Sequence, residues 1–126
     1  MRRLIEDKLQ TVAKKNWLKE RVPDKEMIER WKERMEEDTD YEGESRLIDY
    51  SDFGDLSSII LKGDNWKCCF ESVFGNKMQF EAKMVELQPI RKRIGHSRTL
   101  SDEDNDTLRL YSQKILRSIE KSAEKE

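Results

Sequence analysis

The sequence predicts an all-α fold, and three observations carry the prediction. Two prolines and five glycines in 126 residues are too few for an all-β chain with many turns. Apolar residues recur at helical spacing along most of the chain. Cap and breaker residues fall at the ends of those stretches. At 126 residues, with 41% charged and 35% hydrophobic side chains, the chain forms one domain whose thin core is wrapped in a heavily solvated surface.

The first helix is predicted from about Arg2 to Arg21, with Ile5, Leu9, Val12 and Asn16 or Trp17 on its apolar stripe, until Val22-Pro23 interrupts it. Pro23 opens a second helix with Met27, Ile28, Trp31 and Met35 inward, and Asp24 and Glu26 suit the positive end of its dipole. Residues 1–38 thus form a hairpin. Periodicity is lost over 39–51, an irregular connection in which Leu47, Ile48 and Tyr50 tuck against the bundle.

Residues 52–119 form the remainder of the bundle. Asp52 to Leu61 carries Phe53, Leu56, Ile59 and Ile60, and Asn65 to Phe74 carries Trp66, Phe70, Val73 and Phe74. Gly63 and Gly75 follow these short helices, where glycine reaches a left-handed cap without steric penalty. A long helix spans about Lys77 to Ile94, with a kink expected at Pro89 and an end at Gly95. Leu100-Ser101-Asp102-Glu103-Asp104 opens the last helix: Ser101 caps, the carboxylate of Asp104 reaches back, and Leu108, Tyr111, Ile115 and Ile119 face the core. The tail, 120–126, frays. Trp17, Trp31, Trp66, Phe70 and Tyr111 read as core side chains rather than base-stacking platforms.

Function is more visible in the distribution of charge than in its sum. The net charge is -2, yet Lys83, Arg91, Lys92, Arg93 and Arg98 cluster against Glu86 alone, around the single histidine, His96. Such a cluster can hold phosphates. At about 100° per residue, Phe80, Met84, Leu87 and Arg91 share one helix face, so Arg91 is expected on the buried stripe. A cation there must be paired, must snorkel to an edge, or must line a site where its donors meet an anion. Termination at Gly95 lets His96 swing back towards Arg91.

Cys68 and Cys69 are adjacent in a predicted helix and point apart, so reduced thiols in a reducing compartment are expected rather than a bridge. With one histidine and no separated cysteine pairs, neither a zinc site nor any cofactor is expected. No run reaches transmembrane length, and Met1-Arg2-Arg3-Leu4-Ile5-Glu6-Asp7 turns acidic before a signal core forms, so the expected location is cytoplasmic, away from membranes.

The stretch Leu87-Gln88-Pro89-Ile90-Arg91-Lys92-Arg93-Ile94-Gly95-His96-Ser97-Arg98, followed by the capped start at Leu100 to Asp104, resembles the signature of the HEPN superfamily. There an arginine precedes a histidine by four to six residues at the end of a long helix. With the short helices around Trp66 and Phe70, the likeness covers about Tyr50 to Ile119 and resembles the branch appended to RNA endonucleases and bacterial defence ATPases. It implies a helical bundle that dimerises through the motif face. It also implies metal-independent cleavage of RNA by Arg91 and His96 of both copies, with Lys92, Arg93 and Arg98 as backbone contacts and an ATPase or other defence component as a candidate partner.

Two departures matter. Lys92 stands where the superfamily usually has asparagine, exchanging an oriented amide for a flexible cation, which opens a noncatalytic alternative: a module that dimerises or binds RNA or a partner. Position 98 is arginine rather than the tyrosine that partner nucleotidyltransferases modify in related toxins, so that antitoxin partnership is not expected.

Overall fold

Helix is the only regular structure among the described residues of the computed structural model, which are 1–38, 46–95 and 99–124, with the backbone alone for Lys15, Gly95 and Glu124. In chain order these are α1 (Arg2–Ala13), a 3-10 turn (Lys14–Asn16), α2 (Trp17–Arg21), α3 (Lys25–Glu37), a 3-10 turn (Leu47–Tyr50), α4 (Phe53–Leu61), α5 (Gly63–Asn65), a π turn (Trp66–Phe70), α6 (Glu71–Phe74), α7 (Lys77–Gly95) and α8 (Asp102–Glu124). The chain divides into two compact units, Met1–Asn65 and Trp66–Glu126. Among the described residues no helix is long and apolar enough to cross a membrane.

In the first unit the helix expected over Arg2 to Arg21 is broken. Lys14 adopts φ 52°, a conformation uncommon outside glycine, and the chain turns there. Ile5 and Leu9 are buried as expected, but Trp17 is the next buried residue, while Val12 stays 44% exposed. The start of α3 also differs from expectation: Asp24 caps it, its Oδ1 accepting from the Glu26 amide at 2.9 Å, so Pro23 precedes the cap instead of opening the helix.

Of the connection expected over 39–51, residues 39–45 lie outside the described residues, and 46–51 are fastened by side chains. Ile48 is buried where the Leu47–Tyr50 turn packs on α1 and α3. Arg2 donates to the Ser51 carbonyl at 2.6 Å, Arg34 to the Tyr50 carbonyl at 2.7 Å, and Arg46 to Glu6 Oε1 at 2.6 Å. Asp52 and Asp55 cap α4 reciprocally: the Asp55 amide donates to Asp52 Oδ1 at 2.8 Å and the Asp52 amide to Asp55 Oδ2 at 3.1 Å. Asp55, only 5% exposed, also accepts from the Trp31 indole at 2.9 Å and from Arg30 at 3.4 Å, with Arg34 at 3.9 Å.

Gly63 does not serve as a left-handed cap. Lys62 ends α4 in an extended conformation and Gly63 starts the next turn, so Gly75, at φ 81°, is the glycine whose freedom the fold uses.

The second unit is built on aromatics. Trp66, Phe74 and Phe80 form a cluster with centroid separations of 4.3 to 6.4 Å, and Phe70 and Val73 are buried nearby in sequence. Cys68 and Cys69 are bonded to each other as a vicinal disulfide, contrary to the expectation of reduced thiols. That expectation assumed the residue spacing of an α-helix, whereas Trp66–Phe70 is a wider π turn.

Asn76 caps α7 by accepting from the Gln79 amide at 3.0 Å. The helix continues past Pro89 to Gly95; Pro89 occupies an exposed position, one turn after Val85, which is 65% exposed. On α8, Ile115 is buried and Leu108, Tyr111 and Ile119 are half-buried, as their spacing requires. The end of α8 departs from expectation, remaining helical to Glu124: the stretch after Ser118 contains no glycine or proline, and its alternating glutamates and lysines favour helix.

Candidate functional site

The buried face of α7 is formed by Phe80, Met84, Leu87 and Ile90, each 2 to 3% exposed. Arg91 falls between Phe80 and Met84 in helical phase, so the angular argument for a buried arginine is sound as far as it goes. The structure nevertheless exposes Arg91, which therefore stands at the edge of the stripe and not among its buried side chains. The reason is longitudinal: the core ends at Ile90, and the following turn projects past it. Ile94, also on the inward side by phase, is 42% exposed for the same reason.

Lys92 is exposed as well, leaving two neighbouring cations at a solvent-accessible helix end. Arg93 is different. Its Nη1 donates to Asp104 Oδ2 at 2.6 Å, with the two side chains 40% and 25% exposed, so the last turn of α7 is tied to the first turn of α8. The expected capping role is half right. Ser101 Oγ accepts from the Asp104 amide at 3.1 Å, but the carboxylate of Asp104 takes Arg93. His96 and Arg98 lie outside the described residues.

A second bond joins the same helices, Tyr111 Oη donating to Glu86 Oε2 at 2.6 Å. That hydrogen bond pushes the tyrosine pKa above its ordinary value, helped by desolvation and by the negative charge of Glu86. Neither Asp104 nor Glu86 was recognisable as a tether from its own helix. The signal lies in the pair of helices together: Glu86 and Arg93 are seven apart, as are Asp104 and Tyr111, across a short connection.

The arrangement offers an anion two exposed basic side chains, Arg91 and Lys92, beside the connection that carries His96 in the sequence. A guanidinium can grip two phosphate oxygens at once, and an imidazole has an ordinary pKa near about 6.5, within range for moving protons at neutral pH. Among the described residues there is no group of three or more histidine, cysteine or acidic side chains placed to hold a metal ion.

Comparison with protein families adds to this geometry. The Swt1-like HEPN family matches residues 1–120. The match takes in α1 to α3, which the resemblance over Tyr50 to Ile119 left aside. Neither a curated protein nor a solved structure matches the chain. With an all-helical architecture and a family match over nearly its whole length, the chain belongs to the Swt1-like HEPN family.

Proposed function

We propose that the protein is a metal-independent endoribonuclease that works as a homodimer, with Arg91 and His96 of both subunits meeting in one cleft. The observation that carries this reading is the exposure of Arg91 beyond the end of the α7 core, where a phosphate can reach it. Family membership supports the module, and elementary chemistry supplies the reaction. The ribose 2′-hydroxyl attacks the adjacent phosphorus, an oxygen–phosphorus bond forms, and the bond to the 5′-oxygen breaks. One group must take the 2′ proton and another must give a proton to the departing oxygen.

A chain with one histidine can supply only one of those groups. Two subunits supply both: His96 of one protomer accepts the 2′ proton while the partner's His96 protonates the leaving oxygen. Arg91 grips the phosphate and opposes the charge that builds during transfer. Lys92 and Arg98 draw in the RNA backbone. The setting is a cytoplasmic defence or stress response, with an ATPase or other defence component as the candidate partner.

A second reading has its own observation. Lys92, in the place where the superfamily usually carries asparagine, favours a noncatalytic module that dimerises or binds RNA or a partner within a larger assembly. Incubation of purified protein with RNA in EDTA separates the two. Cleavage lost in His96→Ala and Arg91→Ala supports the nuclease. Binding lost in Arg91→Ala, with no cutting by any protein, supports the module, and cleavage that survives both substitutions eliminates the proposed chemistry.

A further inference from the structure

Two hydrogen bonds hold α7 against α8 in a single register. Tyr111 donates to Glu86 at 2.6 Å, and Arg93 donates to Asp104 at 2.6 Å. Glu86 and Arg93 are seven residues apart, as are Asp104 and Tyr111, so each helix spaces its partners by two turns, about 10 Å at about 1.5 Å per residue. Slipping the helices by that repeat would set Glu86 against Asp104, carboxylate facing carboxylate. The opposed chemistry of the two bonds therefore disfavours that slip as well as tying the register.

Folding free energy is not where the Arg93–Asp104 bond acts. A half-exposed ion pair, screened by solvent, adds little to folding stability. Its position is more telling, because it lies two residues before Gly95 and three after Ser101, closing the connection at both ends. We propose that Asp104 is a positioning residue: it withdraws Arg93 from phosphate binding and uses it to hold the last turn of α7. Arg91, on that same turn, is thereby held in its working placement. The inference rests on the reading of Arg91 and His96 as the RNA-cleaving pair, and reassigns Arg93 from backbone contact to tether.

The proposal has a sign opposite to simple electrostatics. Removing a carboxylate near a phosphate site ought to tighten RNA binding. A positioning role makes the same change harmful, because misplacement by about 1 Å can cost on the order of 10²-fold in rate.

The test uses the full chain and four variants: Asp104→Asn, Asp104→Glu, Arg93→Gln and, as control, Asp106→Asn, whose carboxylate pairs with Arg109 at 2.8 Å. His96, the single histidine, gives an imidazole signal by NMR that needs no assignment. Asp104→Asn and Arg93→Gln are expected to lower kcat by about tenfold or more with little change in KM, and to shift the His96 titration. Asp104→Glu restores both, and Asp106→Asn changes neither.

Two results overturn the proposal. One is an Asp104→Asn protein with unchanged kcat and an unchanged His96 signal. The other is tighter RNA binding by Asp104→Asn, together with a salt dependence reduced by about one unit of slope in Arg93→Gln, which would return Arg93 to the phosphates. If the wild-type chain cuts no RNA, the nuclease reading fails separately. The His96 signal then decides the tether alone: a shift in both variants sustains it, and no shift removes it.

Discussion

In the first unit Arg30 and Arg34 converge on Asp55, a carboxylate only 5% exposed, while at the end of α7 Arg91 and Lys92 are exposed and Arg93 is tied to Asp104. The residue type is the same and the work is different. Arg2, Arg34 and Arg46 spend their donors on backbone carbonyls and a carboxylate, which makes them braces for the turn at Leu47–Tyr50. Arg91, Lys92 and Arg93 lie past Ile90, the last buried side chain of α7 among the described residues. The exposure of an arginine thus follows its distance along the helix from the core as well as its angular phase.

Substitutions in the two regions should therefore part company. The largest effect is expected on the exposed side. Arg91→Ala and His96→Ala should each lower RNA cleavage by about 10²- to 10⁴-fold, with thermal melting unchanged. A fall in melting temperature that accounts for the lost activity would mean that Arg91 is a brace after all.

Asp55→Ala should show the reverse pattern. It leaves the buried Trp31 indole without its acceptor and removes half of the α4 cap, so urea unfolding should report a loss of about 2–4 kcal/mol. RNA cleavage per folded molecule should be unaffected, and a loss of activity without loss of stability would move Asp55 out of the scaffold.

Smaller effects sharpen the comparison. Lys92→Gln should weaken RNA binding uniformly across sequences and reduce the slope of log affinity against log salt by about one, because one phosphate contact disappears. Unchanged salt dependence would remove Lys92 from the interface.

The smallest effect concerns the other α7–α8 bond. Glu86 raises the Tyr111 pKa in the folded chain, so the protonated phenol is the favoured form. Its stabilisation is fully present below the ordinary tyrosine pKa and is lost as pH rises through the raised value. Unfolding curves of Tyr111→Phe and wild type should consequently differ at pH 8 and converge in strong alkali; a gap that is constant with pH would show that Glu86 does not govern this tyrosine.

Much of this architecture is legible in the sequence, because helical phase is a local property. The inward faces of α3, α4, α7 and α8 follow from residue spacing, as do the buried Trp17, Trp31, Trp66 and Phe70. Phase says nothing about where a core stops, which is why Arg91 reads as buried from Phe80, Met84 and Leu87 yet emerges exposed. Backbone exceptions are equally hidden: nothing in Lys14 announces a positive φ, and periodicity does not reveal the π turn in which Cys68 is bonded to Cys69. The tethers Glu86–Tyr111 and Arg93–Asp104 needed two helices to be read together. Of the candidate site, Arg91, Lys92 and Arg93 were found by the motif, while their different situations, exposed or tied, came from packing.

The claim that one cleft is shared by two subunits is tested most directly by mixing. Arg91→Ala and His96→Ala proteins, each inactive alone, are combined and allowed to exchange subunits before RNA is added. A mixed dimer holds one intact arginine and one intact histidine from opposite chains, so cleavage should return to a measurable share of the wild-type rate. A mixture that stays as silent as its components, under conditions where subunit exchange is verified and the wild-type chain cuts, would contradict the shared site.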